Sequence, residues 1–202
     1  WRDARYCAVD LELTGLDPRR DEIVSFGAVA IEDGRVQLGG AVHGRVRPTG
    51  SIGDAAIRVH GLRAIDLADA PTLERAIDPL LAAMAGRIPV FHVAAVERAF
   101  LTPALRRQGL RLRGPIIDTS VLSHAWSAPD DRPTGWHMSL SELARALGLP
   151  VHDPHDALGD ALTTAQVFIA LATHLDARRP ATVRSLTAAA TRPHPILSRL
   201  SR

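Results

Sequence analysis

Thiols and lysines are scarce in this sequence. Its 202 residues include one cysteine, Cys7, and apart from histidine every basic side chain is arginine. A single thiol excludes an internal disulfide and favours a reducing compartment, so we expect a cytoplasmic location. No apolar run reaches the ~20 residues that a membrane-spanning helix requires, and no charged-then-apolar export signal is visible. We therefore expect neither membrane insertion nor export.

Charge and hydropathy are those of an ordinary globular protein. The chain has 24 arginines against 22 acidic residues, a net charge of +2, and 46% hydrophobic residues. This composition supplies enough apolar material for one buried core. The densest basic segment, residues 104–114, carries four arginines: Arg106, Arg107, Arg111 and Arg113. Guanidinium groups suit phosphates, but a solvated helix end has the same composition, and both interpretations stay open.

Runs of β-branched and apolar residues predict the strands. Three of them open the chain: residues 6–12, residues 22–31 and a stretch that ends near Arg47. Asp33-Gly34 separates the second from the third and is typical of a tight turn, which predicts a hairpin. Two short strands are expected later, at residues 88–92 and 114–118. Because helical patterns surround these later strands, the sequence predicts an α/β domain.

Helical spacing predicts the remaining elements. Residues 73–84 are expected to form a helix that Pro79 kinks, and a second helix follows residue 93. Ser139 and Glu142 form a capping box ahead of a third. The last long helix is predicted to bury one stripe of four residues: Leu158, Leu162, Ala165 and Phe168. Residues 127–135 are predicted to be a mobile loop. We assign residues 1–175 to the domain and residues 176–202 to a C-terminal tail with one possible short helix.

Acidic side chains occur at the ends of these predicted elements. Asp10 and Glu12 are two apart on the first strand, so they point to one face. Glu97 begins a helix, and His155 and Asp160 stand at the front of the last helix. Such carboxylates repel one another unless a cation is present, and their hard oxygens suit Mg²⁺ or Mn²⁺. Metal-assisted phosphodiester hydrolysis follows, with the histidine as the base.

Each of these residues also has a simpler interpretation. Asp10 and Glu12 are equally compatible with the wet face of an edge strand. Glu97 taken alone is typical of an exposed helix residue, and His155 of a helix start. The order of the motifs along the chain therefore has to carry the inference.

Three segments together resemble the DEDD superfamily of 3′–5′ exonucleases, which includes the proofreading epsilon subunits of bacterial DNA polymerases. The segments are VDLELTGLDP (9–18), VFHVAAVERAFL (90–101) and HDALGDALTTAQVF (155–168). The third has the histidine that marks the DEDDh branch. IRVHGL (57–62) and IIDTSVLSHAW (116–126) are weaker echoes of further family segments, so the resemblance covers about residues 6–172.

This resemblance implies a ribonuclease H-like fold, a five-stranded mixed sheet flanked by helices. It also implies two divalent cations, Mg²⁺ or Mn²⁺, held by four acids: Asp10, Glu12, Glu97 and Asp160. His155 becomes the general base. Five residues are implied to bind the terminal nucleotide: Leu13, Thr14, Gly15, His60 and His92.

The implied activity is a 3′–5′ exonuclease that releases nucleoside monophosphates from the 3′ end of single-stranded or frayed DNA or RNA, with DNA favoured. A polymerase partner is possible. Three residues depart from the family pattern: Leu13 replaces a threonine, Val93 an asparagine and Glu97 an aspartate. The alternatives are a catalytically weak module that binds strand ends and an exonuclease for short RNA, which would discriminate through the 2′ hydroxyl.

Overall fold

A five-stranded mixed sheet forms the centre of the protein. The computed structural model describes residues 1–127 and 138–188. The strands are β1 (Tyr6–Leu13), β2 (Ile23–Glu32), β3 (Arg35–Arg45), β4 (Ile88–Phe91) and β5 (Ile117–Asp118), in the spatial order β3-β2-β1-β4-β5. The first three pair antiparallel, whereas β4 and β5 run parallel to β1. The predicted fold class is therefore confirmed.

The predicted hairpin joins β2 to β3. Asp33 and Gly34 both have positive φ, 52° and 67°. Two such residues in succession give the turn a twist that matches that of the flanking strands.

Eight helices are described in these two segments, on both sides of the sheet. They are α1 (Asp54–His60), α2 (Leu73–Ala76), α3 (Asp78–Met84), α4 (Ala94–Arg107), α5 (Thr119–Ser127), α6 (Leu140–Ala146), α7 (Ala157–Arg178) and α8 (Val183–Ala188), with a short 3-10 helix at Ala64–Leu67. Helices α5 to α8 contribute to the core on one face, and α3 and α4 to the core on the other. None of these helices combines the length and apolarity that a bilayer span demands.

Strand β1 divides its side chains between the two cores. Tyr6 and Ala8 pack with α7, whereas Cys7 and Val9 pack with α3 and α4. Successive side chains of a strand point to opposite faces, so the even-numbered residues of β1 face α7. The carboxylates at positions 10 and 12 continue that series at the carboxyl end of the strand.

Two details of the helices differ from the sequence expectation. Residues 73–84 form two helices rather than one kinked helix, because Pro79 lacks an N–H and is accommodated in the first turn of α3. The stripe expected on the last helix is also wrong in part. Ala165 and Phe168 are buried as predicted, but Leu158 and Leu162 are half-buried, and the small residue Ala161 packs into the core instead.

Ser139 caps α6, and its hydroxyl accepts from the Glu142 N–H while the Glu142 carboxylate accepts from the Ser139 N–H, which confirms the capping box. Residues 128–135 of the predicted loop lie outside the described residues. The division at residue 175 stays a prediction, and α8 packs against the domain through Leu186, which is 2% exposed.

Candidate active site

Three carboxylates meet at the carboxyl end of β1. Oxygen atoms of Asp10, Glu12 and Asp160 all lie within 4.8 Å of one another. The first two come from β1, and the third comes from the first turn of α7. The sequence prediction that these three converge is therefore supported by the geometry. A donor set of three carboxylates is the kind that hard divalent cations bind.

Gly27 lets α7 reach this position. It pairs with Asp10 across the β1–β2 ladder. A Cβ at this glycine would lie 2.1 Å from the Ala157 carbonyl oxygen and 2.5 Å from the Leu158 Cα. The backbone at the start of α7 thus occupies the space that any side chain at position 27 would fill. This close approach brings Asp160 to β1.

A tight turn ahead of α7 holds Asp160 and presents His155. The Asp156 side chain caps the helix by accepting from the Leu158 and Gly159 N–H groups. His155 has a left-handed backbone, with φ of 66°, and its N–H donates to Asp160 Oδ2 at 2.9 Å. As its spacing from Asp160 predicted, His155 precedes the helix. Its side chain is exposed and lines the same cleft as Glu12.

The pKa values of the three carboxyls are all raised. For Glu12, burial and then the charges of Asp160 and Asp156 raise the pKa from 4.5 to about 8. For Asp10, burial followed by the charges of Glu97, Asp160 and Glu12 raises the pKa well above its usual value. Burial also raises the pKa of Asp160, against an opposing contribution from His155. A divalent cation would offset this repulsion, so the residues fit a metal.

Glu97 lies at the side of this cluster. It belongs to the first turn of α4 and is 6% exposed. Its carboxylate is not one of the three that converge within 4.8 Å, but its charge raises the pKa of Asp10. Within the described part of the chain, Glu97 Oε2 is buried without a hydrogen-bond partner. A buried unpaired carboxylate oxygen is costly, and a cation ligand is a partner that would satisfy it.

A cleft of about 220 Å³ opens beside Glu12. Its lining includes His60, His155, His43 and Arg45. His60 is half-buried, its Nε2 lies 3.1 Å from the Leu13 carbonyl oxygen, and burial followed by the charge of His155 lowers its pKa. His60 and His155, predicted from separate motifs, therefore lie at one cleft.

The side chains that follow Glu12 contact mainly other residues of the protein. Leu13 packs into the core, which accounts for an apolar residue where the family has threonine. The Thr14 hydroxyl donates to Asp21 and accepts from the Glu22 N–H, both at 3.0 Å. A Cβ at Gly15 would lie 2.5 Å from the Asp21 carboxylate, so any larger residue there would have to displace that side chain. Nucleotide contacts by residues 13–15 stay a prediction that would rest on their backbone.

His92 lies at the junction of β4 and α4. Its Nδ1 is 2.9 Å from Thr119 Oγ1 and its Nε2 is 3.3 Å from the Met138 carbonyl oxygen. Both ring nitrogens therefore contact protein atoms, and the predicted nucleotide-binding role stays untested. Sequence reasoning assigned no role to Asp118, which hydrogen-bonds across this same junction.

Comparison with known proteins identifies relatives. The RNase T family model, described as an exonuclease, matches residues 7–168. A PolC-type DNA polymerase III from Thermotoga petrophila is 31% identical over 170 residues, which are 84% of this chain and 12% of that protein. A DNA polymerase III subunit epsilon-like protein from Rhodobacter capsulatus is 32% identical over 177 residues, 86% of this chain and 24% of its own length. The chain thus spans a minor part of these relatives.

A solved structure has the same fold. Exonuclease X in complex with 5′ overhanging duplex DNA superposes with a TM-score of 0.68 at 22% identity, covering 92% of this chain and 98% of that one. This similarity supports the ribonuclease H-like arrangement of the sheet and helices.

Proposed function

Because the chain belongs to the RNase T family of exonucleases, we propose that it hydrolyses phosphodiester bonds one at a time from the 3′ end of single-stranded or frayed DNA and releases nucleoside monophosphates. The observation that carries this proposal is the convergence of Asp10, Glu12 and Asp160 within 4.8 Å. Exonucleases of this family use divalent metals, and these three carboxylates are the residues that would hold one.

A second cation would use Glu97. Its buried Oε2 has no partner among the described residues, and its charge raises the pKa of Asp10, so Glu97 is the residue that would hold this ion beside Asp10. Two such ions would stabilise the attacking and leaving oxygens of the phosphodiester when bound. Magnesium and manganese both prefer carboxylate oxygens, so the donor set fits either ion.

We propose His155 as the general base. Its backbone is fixed by the bond from its N–H to Asp160, while its imidazole is exposed at the cleft. We assign it the proton of the attacking water, whose oxygen forms the new bond to phosphorus as the bond to the 3′ oxygen of the preceding nucleotide breaks. The leaving 3′ oxygen takes a proton from solvent.

Preference for DNA and association with a polymerase rest on the names of the relatives. One relative is a DNA polymerase that contains a matching segment, and the other is epsilon-like. A polymerase partner, the absence of a membrane partner and a cytoplasmic location stay predictions.

The test is a 3′-end cleavage assay with matched single-stranded DNA and RNA oligonucleotides. With Mn²⁺ or Mg²⁺, a 5′-labelled strand should shorten in single steps and a 3′-labelled strand should release a mononucleotide at once. Chelator should stop both reactions. Replacing Asp10 by Asn should abolish cleavage without unfolding the protein, because it removes one charge from a repelling cluster and one metal ligand. Glu74→Gln, an exposed acid on α2, is the matched control.

The same assay separates the alternatives. Retention of labelled strand ends without shortening would replace the enzyme by a binding module. Faster shortening of the RNA than of the DNA would establish the short-RNA exonuclease. Internal cleavage products would contradict an exonuclease of either kind.

A further inference from the structure

The junction between β4 and α4 is hydrogen-bonded to Asp118 and Thr119, the residues at which β5 ends and α5 begins. The Asp118 carboxylate accepts from the Val93 N–H at 3.2 Å and from the Ala94 N–H at 2.9 Å. The next residue, Thr119, donates from its hydroxyl to the Phe91 carbonyl oxygen at 3.2 Å, and the same hydroxyl contacts the His92 ring. Two residues, Asp118 and Thr119, therefore hold all four consecutive residues from 91 to 94.

Helix α4 begins without a cap of its own. Its N-cap residue is Val93, whose side chain has no acceptor, so the Asp118 carboxylate takes the N–H groups at the helix start. Asp118 is 5% exposed and its oxygens accept two further bonds, from the N–H and the hydroxyl of Ser120. Both carboxylate oxygens thus accept hydrogen bonds, and these bonds join the starts of α4 and α5.

The backbone at this point is strained. Val93 has φ of 64° and ψ of 56°, the left-handed region, which a β-branched residue rarely occupies. Strain of this kind persists only where surrounding contacts impose it, at a cost of ~1–3 kcal/mol. The bonds from Asp118 and Thr119 on either side are contacts that impose it here.

One turn beyond this junction is Glu97, whose carboxylate is the acid of the site that comes from α4. We propose that Asp118 is a positioning residue that sets the first turn of α4 through Val93 and Ala94 and thereby holds the Glu97 carboxylate toward Asp10. Further along the helix, Phe100 and Leu101 pack in the core and fix the rest of α4. This inference rests on the proposed function in that Glu97 is taken as a metal ligand.

The test measures Mn²⁺ binding to the full chain by titration calorimetry, with Asp118→Asn as the variant. Asparagine keeps the size of the side chain but replaces one acceptor oxygen by an N–H donor. Since Oδ1 accepts three bonds and Oδ2 one, the donor is expected to face the Ala94 N–H, which then loses its partner. Changes to residues that orient metal ligands typically cost ~10–100-fold in affinity, and we expect a loss in that range. The kcat for DNA should fall in parallel while KM stays unchanged.

Ser120→Ala is the control. It removes the 2.6 Å bond from the serine hydroxyl to Asp118 Oδ1 and destabilises the same buried cluster, but it leaves the bonds to Val93 and Ala94 in place. We expect a lower Tm with Mn²⁺ affinity unchanged within about twofold. Equal loss of affinity in the two variants at equal loss of Tm would overturn the proposal, as would normal affinity in Asp118→Asn.

If the Asp118 variant does not fold, amide exchange in the unmodified metal-free chain decides. Slow exchange of the Val93 and Ala94 amides would support their hydrogen bonds to Asp118. Exchange as fast as in an unstructured peptide would overturn the proposal. Failure of the proposed function is distinguishable, because a chain that binds Mn²⁺ less tightly after Asp118→Asn but cleaves no strand would keep the positioning role and lose the nuclease activity.

Discussion

Replacing Gly27 by alanine tests whether the close approach of α7 to β2 builds the site. The added Cβ would lie 2.1 Å from the Ala157 carbonyl oxygen and 2.3 Å from the carbonyl carbon. Ordinary carbon–oxygen contacts are more than 1 Å longer, so either the helix or the strand has to move by about 1 Å. Both contacts are with backbone atoms of Ala157 at the start of α7, so no flexible side chain can absorb the change.

The expected magnitude follows from where this shift occurs. Overpacking a well-packed interior costs ~1–3 kcal/mol of unfolding free energy. Asp160 is three residues beyond Ala157 on the same helix, and Asp10 is the ladder partner of Gly27, so the shift separates the two carboxylates. Metal–ligand distances have to hold within about 0.2 Å. A displacement of about 1 Å can lower a reaction rate by ~100-fold, which is the loss that we expect.

The assay combines thermal unfolding, Mn²⁺ titration and the cleavage rate of a labelled oligonucleotide. Gly40→Ala is the matched control, because nothing lies within 4 Å of a Cβ at this exposed position of β3. It should leave all three measurements unchanged. If Gly27→Ala bound Mn²⁺ and cleaved DNA like the unmodified chain, the approach of α7 to β2 would not be what assembles the site.

Three further predictions concern the ionisable residues. Because the pKa of Glu12 is raised from 4.5 to about 8 in the folded protein, its contribution to stability is full below pH 4.5 and is lost as the pH rises toward 8. The Tm of the metal-free protein should therefore fall across that range, and Mn²⁺ should raise Tm more at the alkaline end; a flat profile would contradict the raised pKa of Glu12. His155→Ala should slow cleavage by ~10²–10⁴-fold and keep Mn²⁺ affinity, whereas a pH–rate profile that does not change would exclude it as the base. Glu97→Asp should raise or maintain the Mg²⁺-dependent rate, since Mg²⁺ requires near-ideal geometry, and Glu97→Gln should nearly abolish it. Full activity of Glu97→Gln would show that this acid is not a ligand.

Local patterns predicted the strands, the hairpin and one capping box because the interactions that form them are local. Two-residue alternation placed Asp10 and Glu12 on one face, and Asp33-Gly34 specified the hairpin through its backbone preference. The capping box at Ser139 involves groups three residues apart. Each of these depends on neighbours in sequence, and in each the structure agrees.

The assembly of the site depends on contacts between residues that are distant in sequence, and local patterns do not specify such contacts. Gly27 in the run EIVSFGAVAI carried a signal, since glycine inside a strand often marks a close backbone approach, but the sequence did not indicate what approaches. Asp118 accepts hydrogen bonds from Val93 and Ala94, which precede it in the chain by 25 and 24 positions. The burial of Leu158 and Leu162 was predicted wrongly for the same reason, because the small residue Ala161 packs into the core in their place.

Two of the non-glycine residues with positive φ in the described part of the chain stand just ahead of the helices that carry the acids. Val93 precedes the helix of Glu97, and His155 precedes the helix of Asp160; both are left-handed residues without the freedom of glycine. In each case the N–H of the strained residue donates to a carboxylate, Asp118 in the first and Asp160 in the second. A charged acceptor strengthens a hydrogen bond, so each bond offsets part of the strain next to it. These two bonds therefore help to fix the starts of the helices that carry Glu97 and Asp160, and the repulsion among the carboxylates is what a bound cation would relieve.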